Sequence, residues 1–474
     1  MIDRPRWGGY RALTMTGINP MTNAEYTLSI DNAATRRVTT AWVMLALTSL
    51  VFAGIYSILL VMARTPAVQE MIPLIDFFHI ALVVHVDLSI LIWLLSVAAA
   101  LWSLSSGRDL PTWDKLSFLL AALGTAVVIV SPFLGASGPL MNNYIPILRH
   151  PVFYTGLGLF TAGIGSHLLR SSLTRRGFGS SLGGEEALRG ALTLSAIVTG
   201  IAILAFVASF IGLPASVTGE VYFEFLFWGG GHVLQFAYAL LMLVAWIVLA
   251  QGSGCRFVLS PRLTLLFLLM AALPVITVPF LYVAHDVLSP GHRLAFTELM
   301  KYGGLSCLPA GLAVLASLWH ADKPQGEGRH LRSALESSIG LFATGGILGF
   351  LISGLDIVIP AHYHGSTVGV TIAFMGLIYY LLPRLGFAAV SPRLAFWQPY
   401  IYGGGQLLHI TGLAWSGGYG VQRKTAGLAQ GVDRLGEVAG MGLMGLGGLI
   451  SVIGGLLFLV VAYKSIRAGA RRTD

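Results

Sequence analysis

The sequence predicts an all-α integral membrane protein, a bundle of twelve transmembrane helices with both termini in the cytoplasm. The chain of 474 residues is 55% hydrophobic and only 11% charged, with a mean hydropathy of +0.77, whereas a soluble domain carries about 25% charged residues. Apolar runs of about 20 residues, the length that a helix needs to cross a bilayer, recur along the chain. Basic residues concentrate in alternate loops, as they do in cytoplasmic loops of membrane proteins.

The predicted spans are joined by short loops, with no soluble domain between them. They cover residues 39–63, 75–105, 115–136, 151–170, 189–213, 220–250, 261–286, 294–319, 333–355, 361–383, 394–417 and 438–464. Residues 1–38 are predicted to be a cytoplasmic N-terminal segment, polar and Arg-bearing, without a cleavable signal peptide. Residues 39–466 form the membrane domain, which holds the candidate site residues, and residues 467–474 form a cytoplasmic tail.

Charge and cysteine content exclude several classes of function. Most of the 29 basic residues fall in the predicted cytoplasmic segments, so the net charge of +8 requires no nucleic acid partner. Arg423 and Lys424 are exceptions, because they follow an outer helix end. Cys255 and Cys307 are the two cysteines, and they are too few for a disulfide framework, a cysteine-rich metal cluster or a CxxCH site for covalent haem.

Two histidines stand at the head of the run LDIVIPAHYHGSTVGVTIAFMGLIYYLLP, residues 355–383. Ionisable side chains in a membrane span are costly and usually functional. Because each helical residue turns the chain by about 100°, His362 and His364 point to nearly opposite sides. Two imidazoles back to back suit two metals, and neutral imidazole is a common haem ligand. The alternative is two polar residues at a helix mouth.

Further membrane histidines fall into two groups. His85, near the outer end of the second span, is a candidate partner of span ten for a low-spin haem, and His79, about two turns earlier, is the competing ligand. His232 in span six and His285–Asp286 at the end of span seven offer two imidazoles and a carboxylate, which suit a non-haem iron or copper. The alternatives are a hydrogen-bonded histidine in a glycine-rich packing site and a solvated loop edge.

Three stretches resemble the catalytic subunit, subunit I, of the haem–copper oxidase superfamily, which includes the nitric-oxide reductases. They are SGLDIVIPAHYHGSTVGVTIAFMGLIYYLLPRLG, FWQPYIYGGGQLLHITGLAWSGGYGVQRK and LYVAHD. The resemblance covers all twelve spans and implies a haem–copper oxidase fold with two haems and one non-haem metal, copper or iron. It implies that His362 binds the high-spin haem, that His85 and His364 bind a low-spin b-type haem, and that His232, His285 and Asp286 bind the non-haem metal. Arg423 and Lys424 would bind haem propionates, with His409 close by.

Departures from the oxygen-reducing pattern point to nitric oxide as the substrate. Many oxygen reductases carry a tyrosine four residues after the span-six histidine, where this chain has Phe236. The carboxylate that follows that histidine in many proton pumps is missing, as is the buried lysine of span eight, and Asp286 replaces the second histidine of the usual pair. Reduction of two NO molecules to N₂O breaks no O–O bond and needs no phenol. The resemblance is therefore to reductase branches that replace a histidine with an acid, although the span-six glutamate of the better-known reductases is also absent.

The expected function is a membrane-bound terminal reductase that converts NO to N₂O. An oxygen reductase in which Tyr282 replaces the missing tyrosine is the close alternative, and a secondary transporter is the alternative of a different class. Glu298, Lys301 and Asp286 form a candidate proton relay from the outer side, unless they only cap or pair. Electrons are expected from a separate subunit with a dicopper or haem c centre, or from a soluble cytochrome c or cupredoxin. The bacterial cytoplasmic (inner) membrane is the expected location.

Overall fold

Long α-helices make up most of the chain in this computed structural model, which describes residues 24–64, 77–177, 182–326, 328–352, 357–419 and 434–470. The helices are α1 Ala33–Arg64, α2 Phe77–Val86, α3 Trp93–Ser105, α4 Pro111–Val130, α5 Pro151–Leu173, α6 Gly184–Gly212, α7 Gly219–Gly252, α8 Pro261–Ala272, α9 Val278–Ala284, α10 Pro290–Gly303, α11 Leu308–Trp319, α12 Gly328–Phe350, α13 Val358–Arg384, α14 Pro392–Gly417 and α15 Leu435–Ala470. Two short antiparallel strands, β1 Pro139–Leu140 and β2 Ile147–Leu148, pair Pro139 with Leu148.

Three of the spans are composite helices. A π-helical turn, Asp87–Ile92, joins α2 to α3, and 3₁₀ turns at Leu273–Thr277 and Gly304–Cys307 join α8 to α9 and α10 to α11. Pro274 lies in the first 3₁₀ turn and Pro309 follows the second. Proline has no N–H to donate and clashes with the carbonyl four residues earlier, so each α-helix is interrupted there.

Ten helices in the described part of the chain are long and apolar enough to cross a membrane. The other two predicted spans, 333–355 and 394–417, correspond to α12 and α14, of 23 and 26 residues, which are less apolar and are not among those ten. The helical segments were therefore predicted closely, while the count of twelve crossings stays a prediction. The chain is an integral, multi-pass membrane protein.

Helices α7 and α13 form the centre of the bundle. Their most apolar windows are 94% and 83% buried, compared with 28% for α15. Peripheral helices expose large apolar side chains, including Leu204, Ile211 and Val283. Such exposure is rare on soluble monomers and is expected where lipid is the solvent.

One end of the bundle is tied by polar contacts from segments that were predicted to be cytoplasmic. The buried Tyr26 hydroxyl donates to the carbonyl oxygen of Leu259 at 2.8 Å. Arg170 and Asp114 form a buried ion pair in which Nε lies 2.8 Å from Oδ1 and Nη2 donates to Oδ2 at 2.8 Å. Asp31, at the start of α1, pairs with two arginines. These contacts fix the ends of α1, α4, α5 and α6 relative to one another.

Glycines allow two helix pairs to approach closely next to the candidate haem ligands. A Cβ on Gly345 of α12 would lie 2.3 Å from the backbone nitrogen of Ser366 of α13. A Cβ on Gly447 of α15 would lie 2.3 Å from the backbone nitrogen of His409 of α14. Both distances are far below a normal contact, so only glycine fits.

Candidate functional site

Four of the predicted histidines share one hydrogen-bonding pattern. In each of them Nδ1 lies close to a backbone carbonyl oxygen: His85 to Ala53 at 2.8 Å, His232 to Trp228 at 2.6 Å, His362 to Gly345 at 2.7 Å and His409 to Met444 at 2.9 Å. A carbonyl only accepts, so Nδ1 carries the proton and Nε2 presents its lone pair. Metal-binding histidines are oriented in this way, so these imidazoles fit axial haem and metal ligation.

His362 and His364 face different neighbours, as the 200° helical rotation between them requires. His362 points to α12, where a Cβ on Gly349 would lie 2.7 Å from its ring. His364 points to α14, with its ring centroid 5.0 Å from that of His409 and the Gln406 side chain beside it. The two imidazoles therefore lie on different sides of α13 and do not share neighbours.

His85 lies on the His364 side of α13. The two imidazoles are close enough to interact electrostatically, and His85 is held by α1 through the Ala53 carbonyl. His79 is exposed and stacks edge-on against the adjacent Phe78. The position of His85 supports its choice over His79 as the low-spin haem ligand.

His232 lies in a buried aromatic cage in the middle of α7. Its ring centroid is 4.8 Å from that of Trp228, 4.9 Å from that of Tyr144 and 6.0 Å from that of Phe296. The Tyr144 hydroxyl lies 2.9 Å from both ring nitrogens. Because Nδ1 donates to the Trp228 carbonyl, the Tyr144 hydroxyl donates to Nε2.

Tyr144 was not predicted as a site residue. It lies in the loop between β1 and β2, where Asn142 Oδ1 accepts hydrogen bonds from its backbone N–H at 2.9 Å and from that of Ile145 at 2.8 Å. The adjacent Asn143 N–H donates to Glu224 Oε2 at 3.1 Å. Burial, and secondarily the Glu224 charge, raise the pKa of Tyr144 well above its usual value of 10. The phenol therefore stays protonated and remains a proton donor.

His285 and Asp286 diverge from each other. Helix α9 ends at Ala284 and His285 is extended, with φ −138° and ψ 131°, so successive side chains point to opposite sides. The His285 ring packs over Gly291, where a Cβ would lie 2.7 Å from Nδ1, while Asp286 is exposed. In the residues that the structure describes, no three His, Cys, Asp or Glu side chains are grouped to hold a metal ion. His232, His285 and Asp286 are thus not brought together as one donor set.

The remaining predicted residues bond to other groups, are exposed or lie outside the described residues. The Tyr282 hydroxyl donates to the Ala205 carbonyl at 2.9 Å and lies 2.8 Å from Ser209 Oγ. Glu298 and Lys301 are exposed on α10. Arg423 and Lys424 lie outside the described residues.

Two apolar cavities lie among the helices on the α5 side of α7. The larger, of about 560 Å³, lies among α5, α6 and α7 and is lined by side chains that include Tyr154, Ile203 and Phe223. A cavity of about 190 Å³ shares Ile203 with it and reaches Leu234, two residues beyond His232. Together they form an almost entirely apolar space between α5, α6 and α7.

Comparison with known proteins identifies the family. Residues 37–457 match the family model described as cytochrome c and quinol oxidase polypeptide I. An uncharacterized protein of Rickettsia prowazekii is 30% identical, and the alignment covers 92% of this chain and 98% of that protein. An uncharacterized protein of Aquifex aeolicus is also 30% identical, over 73% of this chain and 85% of its own length.

A solved structure has the same fold. A haem–copper terminal oxidase, determined by cryo-EM as a dimer, superposes with a TM-score of 0.73 at 16% identity, covering 92% of this chain and 84% of that chain. The family match over residues 37–457 includes His85, His232 and His362. With its family match over residues 37–457 and this shared fold, the chain is a subunit I member of the haem–copper oxidase superfamily and an oxidoreductase of the terminal oxidase type.

Proposed function

We propose that this protein reduces nitric oxide to nitrous oxide in the bacterial cytoplasmic membrane. His85 and His364 bind a low-spin b-type haem that delivers electrons, His362 binds the high-spin haem, and His232 binds the non-haem metal, iron or copper. The haems supply electron transfer and the site where the gas is reduced. The tautomers of His85 and His362 fit these groups, because in each of them Nδ1 donates to a backbone carbonyl and Nε2 is left for haem iron. A metal at His232 would take the place of the hydrogen bond that the Tyr144 hydroxyl donates to Nε2.

The observation that carries this proposal is Phe236. It lies one helical turn after His232, is buried, and a Cβ on Gly303 would lie 3.2 Å from its ring. Phenylalanine has no hydroxyl proton to transfer. Many oxygen reductases carry a tyrosine at this position, and its phenol supplies a proton when the O–O bond breaks. Coupling two NO molecules requires two electrons and two protons but no O–O cleavage.

A proton path to the site is supported by the cage itself. Glu224 accepts from Asn143, and the neighbouring Tyr144 hydroxyl is bonded to His232. Glu224 is only partly buried, so it can exchange protons with water, and Tyr144 holds a proton beside the substrate. Glu298, Lys301 and Asp286, which form the relay predicted from the sequence, are all exposed.

The apolar cavities support a small, uncharged gas as the substrate. Their walls offer almost no hydrogen-bonding groups, so water gains little by entering, whereas NO and O₂ lose little by leaving water. A charged or strongly polar substrate, as a transporter would carry, has no counterpart among these lining residues.

The test is turnover of the purified complex with NO and O₂ supplied separately. Gas consumption is followed by electrodes in the presence of excess reductant, and N₂O is identified by gas chromatography. Fast NO consumption with formation of one N₂O per two NO supports the proposal. Fast O₂ consumption with slow NO consumption contradicts it.

Oxygen reduction is the second candidate, because Tyr144 places a phenol against His232. Tyr144→Phe removes that hydroxyl alone, and Tyr282→Phe is the matched control, since its hydroxyl bonds Ser209 and Ala205 instead. If the protein is an oxygen reductase that uses Tyr144, the first variant loses O₂ reduction and the second retains it. A nitric-oxide reductase retains more NO turnover without the phenol, because only a proton donor is lost.

The proposal also includes the membrane topology and the electron donors. Both termini lie in the cytoplasm, and twelve helices cross the membrane when α12 and α14 are counted. Electrons come from a dicopper or haem c subunit, or from a soluble cytochrome c or cupredoxin, and Arg423, Lys424 and His409 contact the haem propionates. Protease protection of terminal tags in oriented vesicles tests the topology.

A further inference from the structure

One side of α12 is exposed along the whole helix. Its exposed residues all lie within about 40° of the direction of Glu336, because each helical residue turns the chain by about 100°. They are Arg329, Glu336, Gly340, Ala343, Ile347 and Phe350. Other peripheral helices expose large apolar side chains, such as Leu204 and Ile211 on α6. The exposed side of α12, in which four of these six residues are charged or small, therefore differs from a surface made for lipid.

Helix α14 continues this surface beside α12. The exposed Tyr400 hydroxyl donates to Glu336 Oε2 at 2.7 Å, and the Arg329 guanidinium lies over the Phe396 ring at 4.7 Å. Arg329 precedes Glu336 as Phe396 precedes Tyr400, so the two helices run in the same direction along this side. We call their shared exposed side the α12–α14 face.

The α12–α14 face is low in its middle. One helical turn after Glu336 and Tyr400, respectively, Gly340 and Gly404 are both exposed, and a Cβ on either would meet nothing within 4 Å. Further along the two helices, the exposed Ile347 and Leu407 are apolar. The face therefore combines a carboxylate, two positions without side chains and an apolar end.

Glu336 is the residue of this face that lipid does not accommodate. It lies eight residues after the start of α12, about 12 Å along the helix, and within the span predicted from the sequence. Ionisable side chains in membrane helices almost always face protein or a water-filled cavity, and they are usually paired. No salt bridge joins Glu336 to a cation among the described residues, and its partner Tyr400 is a neutral donor.

We propose that the α12–α14 face binds a transmembrane helix of a partner subunit, and that this helix presents a lysine or arginine to Glu336. A basic side chain supplies the charge that complements the carboxylate. Gly340 and Gly404 allow the partner backbone to approach closely, as small residues do where membrane helices pack together. This assignment concerns assembly and does not depend on which gas the protein reduces.

The test measures whether lipid or protein covers this face in the assembled complex. A nitroxide label is attached to Ile347→Cys in a chain that also carries Cys255→Ser and Cys307→Ser, and the complex is extracted in native-lipid nanodiscs so that its neighbours are retained. Leu204→Cys on α6 is the matched control, because Ile347 and Leu204 are 65% and 67% exposed. Power-saturation EPR reports how often O₂ dissolved in the lipid collides with each label, and the chain without cysteines gives the background signal.

We expect the label on Ile347→Cys to lose most of the O₂ accessibility that the label on Leu204→Cys shows. Adding Glu336→Lys, which repels a basic partner residue, should restore that accessibility while the haem content stays unchanged. If the lysine variant does not retain haem, Glu336→Gln removes the charge with little change in shape and replaces it.

Three results would overturn the proposal. Equal O₂ accessibility of the two labels in the parent complex means that lipid covers the face. Protection of Ile347→Cys that survives loss of the Glu336 charge means that no basic partner residue is held there. Dipolar broadening between labels identifies a second copy of this chain, rather than a partner subunit, as the occupant.

Discussion

Replacing Gly345 with alanine is expected to loosen the high-spin haem without unfolding the bundle. The new Cβ would lie 2.3 Å from the backbone nitrogen of Ser366, whereas ordinary contact begins at 3.4 Å. Helices α12 and α13 must separate locally by the difference, 3.4 − 2.3 = 1.1 Å. Forcing an extra carbon into a packed contact typically costs about 1–3 kcal/mol.

That displacement acts on His362 through one hydrogen bond. Gly345 supplies the carbonyl that accepts from His362 Nδ1 at 2.7 Å, and a shift of about 1 Å carries this distance beyond hydrogen-bonding range. Loss of the group that orients a metal-binding histidine typically lowers affinity about 10–100-fold. The low-spin haem, bound on the opposite side of α13, should be retained.

The assay is transfer of haem to excess apomyoglobin, with the haem-to-protein ratio recorded before and after. Gly340→Ala is the control, because a Cβ there meets nothing within 4 Å and the residue is exposed on the same helix. We expect one haem to leave Gly345→Ala faster than it leaves the parent protein or the control. Equal rates in all three proteins would refute the link between helix spacing and the orientation of His362.

Three further expectations follow from contacts elsewhere in the fold. His85→Ala should abolish the absorption bands of the low-spin haem, whereas His79→Ala, at an exposed position, should leave them unchanged. Reduced-minus-oxidised absorption spectra of the two variants test this prediction. Asp114→Asn should destabilise the protein by about 3–5 kcal/mol because it leaves a buried guanidinium unpaired, and the exposed Asp109→Asn should change stability little; thermal unfolding in detergent compares them. Burial opposes ionisation of Asp31, but hydrogen bonds and two arginines prevail and lower its pKa. The contribution of Asp31 to stability is therefore present above pH 3.8 and is lost as the pH falls through the lower pKa of Asp31 in the folded protein. Protease cleavage before α1 should increase only in that acidic range. Asp31→Asn should remove this pH dependence.

Periodicity and chemistry predicted the helices and the direction of most site histidines. The 200° rotation between His362 and His364 depends only on helix geometry, so the sequence is sufficient to place them on opposite sides. His85 could be preferred to His79 because it begins the longer apolar run, and its contact with α1 agrees with that choice. Helix-based reasoning works here because both residues lie inside regular elements.

The residues that sequence reasoning missed lie where regular structure stops. Tyr144 is in a loop whose shape is set by the Asn142 side chain, and no periodicity brings that loop against His232. Asp286 was placed beside His285 by adjacency alone, and the extended backbone at His285 separates them.

The two least apolar long helices, α12 and α14, have a consequence for how the protein enters the membrane. Each makes the most extensive helix–helix contacts of the bundle with the helix that follows it, α13 and α15 respectively. A helix that is too polar to enter the bilayer alone is stabilised there when a neighbouring helix covers its polar side. We therefore expect α12 with α13, and α14 with α15, to insert as helical hairpins. The ribosome must then release α13 and α15 before α12 and α14 can settle. We therefore expect haem to reach His362, at the start of α13, only after α12 and α13 have inserted together.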